Sequence, residues 1–463
     1  MLHFSIAQGI ARLNQDITAG FASTGQPPND LLDERDRLID RLSGKLNVSL
    51  VPQDRGIVNV FVGKGQALVL GQTASRLAPS VDGFDPARPA IVLQTDQGSV
   101  DVTAALSGGS LGGQLDFRSQ ILDPARNQLG LIAVGLAESL NAQHRAGMDL
   151  RGDLGTDFFA VGPVGVLNAA GNTGTASLDA QRADVSALTG ADYQFQFSGS
   201  AWTLRRADTG ALVTLTGTGT TIDPLRADGL AVSVSGTPAT GDQFLVRPTR
   251  EAAASLSLRV TDASRIAAAS PIRAEAVLTN SGTATISAGE VLNAANPQLR
   301  QTVTLQFLTA NTFSVNGAGS FAYASGQPID VNGWRVEISG AATTGDRFTI
   351  GDNSTGVGDN RNARALVDAL GKPRFDGGTT SVNGAVDRLT ANVGTTAQQA
   401  QVNLDAQQTM YDEAIKQRQN ASGVNLDEEA ANLLRYQQAY QASAQLIRIA
   451  SQMFDALLNA TGR

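Results

Sequence analysis

Large apolar residues recur at every seventh position near the C-terminus of the chain. They are Leu426, Leu433, Tyr440, Ile447 and Phe454. A second row, four residues further on, is mostly small or polar and consists of Ala430, Gln437, Ala444, Ser451 and Leu458. We call the two rows the seam. This spacing predicts a helix with a narrow apolar stripe that packs on another helix, whose backbone can approach closely over the small residues.

The seam needs a partner, because a helix cannot bury its own stripe. Each large side chain contributes about 1.5–3 kcal/mol when it is removed from water. Two partners fit the spacing: another helix in an assembly, or the body of the same chain. The spacing alone favours the second, because an amphipathic helix usually turns its apolar face to its own core.

The amino-acid sequence of this stretch resembles a known signature. SGVNLDEEAANLLRYQQAYQASAQLI, which begins at Ser422, is similar to the C-terminal signature of bacterial flagellar axial proteins, the group of rod, hook and hook-associated proteins. The resemblance implies that the seam binds other helices in an assembly. The interface residues that it implies are Leu426, Leu433, Tyr440, Ile447, Phe454, Ala430, Ala444 and Leu458.

Other segments resemble one family of that group, hook-associated protein 1, the first hook–filament junction protein. They are NDLLDERDRLIDRLSGKLNVSL at 29–50, SLGGQLDFRSQILDPARNQLGLIAVGLAESLNAQHRAGMDLRGDLGTDFF at 110–159, VTDASRIAAAS at 260–270 and GDNRNARALVDAL at 358–370. A hook or distal-rod protein, the alternative within the group, is expected to lack the segments near 29–50 and 110–160. Family members begin with a further axial helix, which we expect this chain to lack.

The resemblance implies a structural subunit of the flagellum that joins hook to filament. The partners that it implies are copies of the same chain in a ring, the hook protein, the second junction protein, and a dedicated export chaperone on the C-terminal helix. It also implies an extracellular location, reached through flagellar type III export without a cleaved signal peptide. In such a ring the terminal helices form the inner tube and the central domains face outward.

An internal repeat marks the middle of the chain. The pattern Ser-Gly-x-x-x-x-Gly-Asp-x-Phe follows Val234 and ends at Phe244, and it follows Ile338 and ends at Phe348 without a gap. Trp202 corresponds loosely to Phe313. Period-two alternation dominates from about 160 to 351, so we predict two copies of one β module in which the Gly-Asp turn leads into the last strand.

These patterns predict an α+β multidomain protein. Long terminal helices form a discontinuous helical domain, and two mainly β modules are inserted in it. The predicted divisions are an inner helical and β part at 1–160, an outer β module at 161–255, a second, repeat-like module at 256–351, an inner helical part at 352–420 and the C-terminal axial assembly helix at 421–463. The helix over 110–147 is predicted to restart or kink at Asp123-Pro124 and to carry an apolar stripe that includes Leu115, Leu122 and Leu129.

Composition excludes several classes of function. The formal net charge is −8, from 35 basic and 43 acidic residues without a basic patch, and aromatic residues make up 5% of the chain, which argues against nucleic-acid binding. There is no cysteine, so disulfides and thiolate metal sites are ruled out. The longest apolar run, near 129–136, is too short to span a bilayer, and residues 1–20 lack the features of a secretory signal.

Few residues suggest catalysis or metal binding, so we expect no enzyme, cofactor or metal. His144, near a predicted helix end, is interpreted as a surface or capping residue. Asp149, Asp153 and Asp157 do not follow the alternating spacing of a calcium loop. Two alternative functions from other classes lead to different expectations. A surface adhesin with repeated β modules would bind its ligand through residues 160–351. A glycan hydrolase would need two carboxylates that converge in a cleft.

Overall fold

The structure is a computed structural model that describes residues 2–26, 28–356, 358–422 and 426–461. The chain divides into two compact units, residues 1–391 and residues 392–463, and each is described by itself. Strands and helices both contribute extensively, which confirms the predicted α+β class. The helices are α1 (Leu2–Thr24), α2 (Asn29–Ser43), α3 (Gly109–Asp116), α4 (Asp123–Arg145), α5 (Ala252–Ser255), α6 (Arg361–Ala369), α7 (Val382–Ser422) and α8 (Leu426–Thr461). Among these described helices, none is both long enough and apolar enough to cross a membrane.

Residues 2–116 form what we call the N-terminal body. Its strands are β1 (Val48–Pro52), β2 (Val58–Val62), β3 (Gln66–Leu70), β4 (Thr73–Ala74), β5 (Arg76–Val81), β6 (Pro89–Thr95) and β7 (Gly98–Asp101). They make two antiparallel sheets, β1-β2-β3-β4 and β5-β6-β7. Alternate residues of β2 point into a core that also contains Ile10 of α1 and Leu42 of α2. Buried Asn14 links α1 to the sheet, because its amide nitrogen donates to the carbonyls of Val58 at 2.9 Å and Gly71 at 2.7 Å.

A π-helical segment, Phe117–Leu122, joins α3 to α4. The helix thus restarts at Asp123-Pro124, where α4 begins with proline in its first turn. A wider turn rotates the helix that follows it. Consequently the predicted stripe is not continuous: Leu115 packs on the core of the N-terminal body, whereas Leu122 and Leu129 are exposed.

The first β module, which we call module A, contains the strands between Gly165 and Arg247. These are β9 (Gly165–Asn168), β10 (Ser177–Arg182), β11 (Tyr193–Phe197), β12 (Trp202–Arg206), β13 (Leu212–Val213), β14 (Leu225–Ala227), β15 (Leu230–Ser235) and β16 (Gln243–Arg247), preceded by a short strand β8 (Phe159–Ala160). The sheet orders are β13-β12-β11-β16-β9 and β10-β15-β14. Its core is continuous with that of the helices, since Phe195 and Phe244 belong to one cluster with Leu131 of α4 and with Phe375.

The second module, module B, lies between Ile272 and Asp352. It follows β17 (Ser257–Leu258), which pairs with β8, and comprises β18 (Ile272–Ala276), β19 (Thr285–Ile286), β20 (Glu290–Val291), β21 (Val303–Thr309), β22 (Thr312–Val315), β23 (Ala318–Ala322), β24 (Pro328–Val331), β25 (Trp334–Ser339) and β26 (Arg347–Asp352). Its main sheet has the order β18-β26-β21-β22-β23, which parallels the larger sheet of module A. Phe307, Trp334 and Phe348 are buried in a core of its own.

The two copies of the repeat make equivalent hydrogen bonds at their aspartates. The Asp242 carboxylate accepts from the backbone N–H groups of Ala239 at 2.8 Å and Thr173 at 2.9 Å. Asp346 accepts in the same way from Thr343 and Ser281, both at 2.8 Å.

Strand register confirms the correspondence of the two aromatic residues as well. Phe197 pairs with Trp202 in module A, and Phe307 pairs with Phe313 in module B. The N–H groups of Phe197 and Phe307 donate to the carbonyls of Asp242 and Asp346, respectively.

Acid should unfold module B partly through Asp346. Backbone donors, with Thr343 the largest influence, hold the pKa of Asp346 below its ordinary value. A carboxylate with a lowered folded-state pKa stabilises the fold fully above its unfolded pKa of about 3.9, and this stabilisation is lost as the pH falls through the folded value. We therefore expect Asp346→Asn to be less stable at neutral pH and to show a flatter loss of stability below about pH 4.

The measurement uses the one tryptophan of each module. With Trp202→Phe as background, Trp334 alone reports on module B in denaturant titrations at several pH values. Glu337→Gln is the matched control, since Glu337 is exposed on the same module. Equal pH dependence in Asp346→Asn and its background would contradict the role assigned to this carboxylate.

Removal of the Phe307 ring should destabilise module B strongly. The ring lies 4.9 Å from that of Tyr323 and 5.9 Å from that of Phe348, and it is buried. Truncation of such a side chain to alanine costs about 3–5 kcal/mol. We expect Phe307→Ala to lower the free energy of unfolding by this amount when Trp334 fluorescence is followed in urea in the Trp202→Phe background. Phe321→Ala, at a half-exposed aromatic of the same module, should cost much less, and a similar cost for both variants would refute this assignment of the core.

Candidate assembly surface

The large side chains of the seam are exposed along α8. The exposed fractions are 67% for Leu433, 77% for Tyr440, 68% for Ile447 and 65% for Phe454. Ala430 is also exposed, and Ala444 is partly buried. Leu426 and Leu458 belong to the helix, but their side chains lie outside the described residues. The helix thus presents an uncovered apolar stripe, which remains a predicted interface.

A second apolar stripe, absent from the sequence prediction, occupies the C-terminal half of α8. It consists of Leu446, Ile449 and Met453, all of them more than half exposed. We call it the far stripe, because at 3.6 residues per turn it lies about 150° around the helix from the seam. The spacing of three and four residues is itself a helical signal, so this stripe could have been found from the sequence.

The part of α7 between Val393 and Tyr411 is similarly uncovered. Val393, Leu404 and Tyr411 recur at helical spacing, and the exposed fraction of each side chain is more than two fifths. Its polar side chains bond along the helix, as where Gln401 donates to Asp405 at 2.9 Å and Gln408 to Asp412 at 3.0 Å. In this part of α7, polar side chains thus bond to one another along the helix, while these large apolar side chains face solvent.

Arginines neutralise the acidic loop that follows α4. Buried Asp149 accepts from the N–H of Arg151 at 2.8 Å and pairs with Arg265 at 3.2 Å. Arg265 also pairs with Asp153 at 2.8 Å, and Asp157 pairs with Arg145. Within the described part of the chain, histidines and carboxylates form no group able to hold a metal ion.

His144 is fully buried, so the interpretation as a surface or capping residue was wrong. Its Nδ1 lies 2.6 Å from the carbonyl oxygen of Thr156, and its Nε2 accepts from the N–H of Ala267 at 2.9 Å. Because Nε2 must carry a lone pair to accept this bond, Nδ1 is the ring nitrogen that donates, and it donates to Thr156. The partner of Nε2, Ala267, lies 123 residues away in the sequence, so the sequence contained no local sign of this contact.

Two carboxylates do converge in a cleft of about 430 Å³, as an enzyme would require. Asp123 and Asp192 lie there, but Arg250 donates to both, at 2.9 Å and 2.7 Å. Burial raises the pKa of Asp192, while Arg250 and Arg247 oppose this shift. The arginine between the two acids makes this arrangement an ion-pair network.

Comparisons with known proteins place the chain in the class of flagellar axial proteins. Residues 5–159 match the model described as the flagellar hook-associated protein FlgK helical domain, and residues 167–248 match the D2-like domain of flagellar hook-associated protein 1. Residues 416–460 match the C-terminal model of flagellar basal body rod proteins. The match over 5–159 covers both segments that we expected a hook or rod protein to lack.

Individual relatives narrow the class to one family. The chain is 31% identical to flagellar hook-associated protein 1 of Escherichia coli over 98% of its own length and 68% of the relative, and 32% identical to that of Salmonella typhimurium with the same coverage. The flagellar hook junction protein FlgK of Burkholderia pseudomallei has a solved structure similar to this one, with a TM-score of 0.81, 34% identity and coverage of 90% of this chain and 82% of that one. The chain belongs to the hook-associated protein 1 family, as the resemblance predicted, and is a structural component of the bacterial flagellum.

Limited proteolysis should show whether α8 has a partner in the free monomer. Residues 392–420 and 429–456 expose their side chains almost throughout, so local unfolding of these parts breaks few tertiary contacts. We expect rapid loss of residues from about 400 to 463 and survival of 30–395, with the cuts located by mass spectrometry. A C-terminal helix that resists cleavage as firmly as the modules would show that it already has an intramolecular partner.

Proposed function

We propose that this protein joins hook to filament as one copy in a ring and assembles through α8. The exposed row of Leu433, Tyr440, Ile447 and Phe454 carries this proposal. Such a row is costly in water and repeats at the spacing that suits a partner helix. Membership of the hook-associated protein 1 family supports the position at the junction.

Assembly couples burial of the seam to ordering of the terminal helices. A segment that becomes ordered only on binding loses conformational entropy at that step, which makes binding conditional on a suitable partner. The neighbouring copies in the ring supply this partner, and the hook protein and the second junction protein adjoin the ring. Before assembly, a dedicated export chaperone covers the same helix, and the chain leaves the cell without a cleaved signal peptide.

The proposed arrangement puts different parts of the chain at different radii. The inner part contains residues 1–160, 352–420 and the axial helix over 421–463. The outer part contains the modules over 161–255 and 256–351. A module whose chain ends lie side by side can be added without disturbing the inner part, and the paired strands β18 and β26 have this geometry.

Charge in the seam should block incorporation. Leu433→Asp or Ile447→Asp places a carboxylate where the partner helix must exclude water, and a buried unpaired charge is very unfavourable. We expect flagella without this subunit, and detached filaments, when either variant replaces the natural protein in its own bacterium. Immunolabelling of isolated hooks measures the incorporation, and Trp334 fluorescence confirms that module B is folded.

Gln445→Asp is the matched control, because Gln445 is exposed on the same helix between the seam and the far stripe. It adds the same charge and should incorporate normally. Secretion of each variant into the medium is measured separately, so that a failure of export is distinguished from a failure to assemble. Incorporation of either seam variant at the level of the natural protein would refute the proposed role of the seam.

A further inference from the structure

The N-terminal body and module A have separate apolar cores that one helical run connects. Leu115 of α3 packs on the first core, and Leu131 of α4 packs on the second. The π-helical segment Phe117–Leu122 lies between these two anchor points. Its own residues are not buried, so few side chains resist a change of bend there.

Polar contacts hold the two bodies together beside this segment. A loop of the N-terminal body, residues 82–88, reaches the other side through two ion pairs: Asp85 with Arg247 at 2.8 Å and Arg88 with Asp123 at 3.0 Å. The N–H of Ala170 donates to the carbonyl of Gly83 at 2.8 Å. The loop is itself rigid, because Asp82 caps it by accepting from two of its backbone N–H groups.

The partners of this loop belong to a fixed network. Arg250 bridges Asp123 and Asp192, and it donates to Asn127 at 3.2 Å. Arg247 is nine-tenths buried, and its Nε lies 3.9 Å from a carboxylate oxygen of Asp192. Arg247 also holds the pKa of Asp85 below its ordinary value. The network is therefore a preformed receptor for the charges of the loop.

The pairs differ in their access to water. Side-chain exposure is 8% for Arg250 and Asp192, which stay on one side, but 21% for Asp85 and 27% for Arg88, which cross the joint. Partly exposed pairs are weakened by salt, whereas buried ones are weakened much less. The contacts that cross the joint are thus the ones that can open while the rest of the network stays intact.

We propose that Phe117–Leu122 is a hinge and that the 82–88 loop is its latch, so that the N-terminal body turns against module A when Asp85 and Arg88 release Arg247 and Asp123. The turn needs no change within either apolar core. This device is independent of the assembly proposed for α8, because none of its residues lies beyond residue 250.

Distances between spin labels on the two bodies test the hinge. The chain has no cysteine, so Ser99→Cys and Thr203→Cys introduce unique labelling sites on the N-terminal body and on module A in the full-length protein. We expect one narrow distance distribution with the natural latch, and a broader distribution that extends to other distances after Asp85→Ala with Arg88→Ala. A second labelled pair within module A, Thr203→Cys with Ser235→Cys, should not change.

Two control variants separate the latch from a general effect of charge or folding. Lys64→Ala with Asp96→Ala removes the same number of charges from exposed turns of the N-terminal body and should keep the narrow distribution. Asp85→Glu with Arg88→Lys retains both charges and should also keep it. If the latch variant fails to fold, the protein with the natural latch is measured in increasing sodium chloride, where the same broadening is expected. An unchanged distribution in the folded latch variant, or in high salt where that variant cannot be used, would overturn the proposal.

Discussion

The fold depends on how each β module begins and ends. Gly165 pairs with Arg247 in module A, and Ile272 pairs with Asp352 in module B, so the chain leaves and returns through adjacent antiparallel strands. Helices before and after the modules can therefore share one body. Glycines on α4 permit the close packing that this requires: a Cβ at Gly130 would lie 1.8 Å from the carbonyl oxygen of Thr249, and one at Gly135 would lie 2.0 Å from the ring of Phe375. Any side chain at these two positions would push the returning chain away.

The Gly-Asp turn gives each module its last strand. Asp242 and Asp346 collect backbone donors from two separate segments, the turn that precedes the aspartate and a loop some 65 residues earlier. One side chain thus accepts hydrogen bonds from backbone N–H groups that would otherwise have no partner. A short acidic side chain is required because it must accept several bonds at once while it is buried. This requirement explains why the pattern persists in both copies although their other residues differ widely.

Features set by neighbouring residues could be predicted from the sequence, and features set by distant residues could not. The helices, the repeat with its aspartates and the apolar row of α8 follow from spacing, and the structure has all of them. The burial of His144 depends on Ala267, and the network around Arg250 joins residues from three parts of the chain. The π-helical segment was missed for another reason. A seven-residue spacing over Leu115, Leu122 and Leu129 looks continuous in the sequence, although one wider turn is enough to separate its members in space.

The positions of the two stripes limit which arrangements can bury the apolar side chains of α8. A packed helix covers an arc of roughly 100° on its partner, while the seam and the far stripe lie about 150° apart. One partner helix therefore leaves either Ile447 or Ile449 in water. The far stripe begins only at Leu446, so the second partner is needed along the C-terminal half alone. The proposed ring, in which every copy touches a neighbour on each side, would cover both stripes at once, whereas a two-chain coiled coil would cover one.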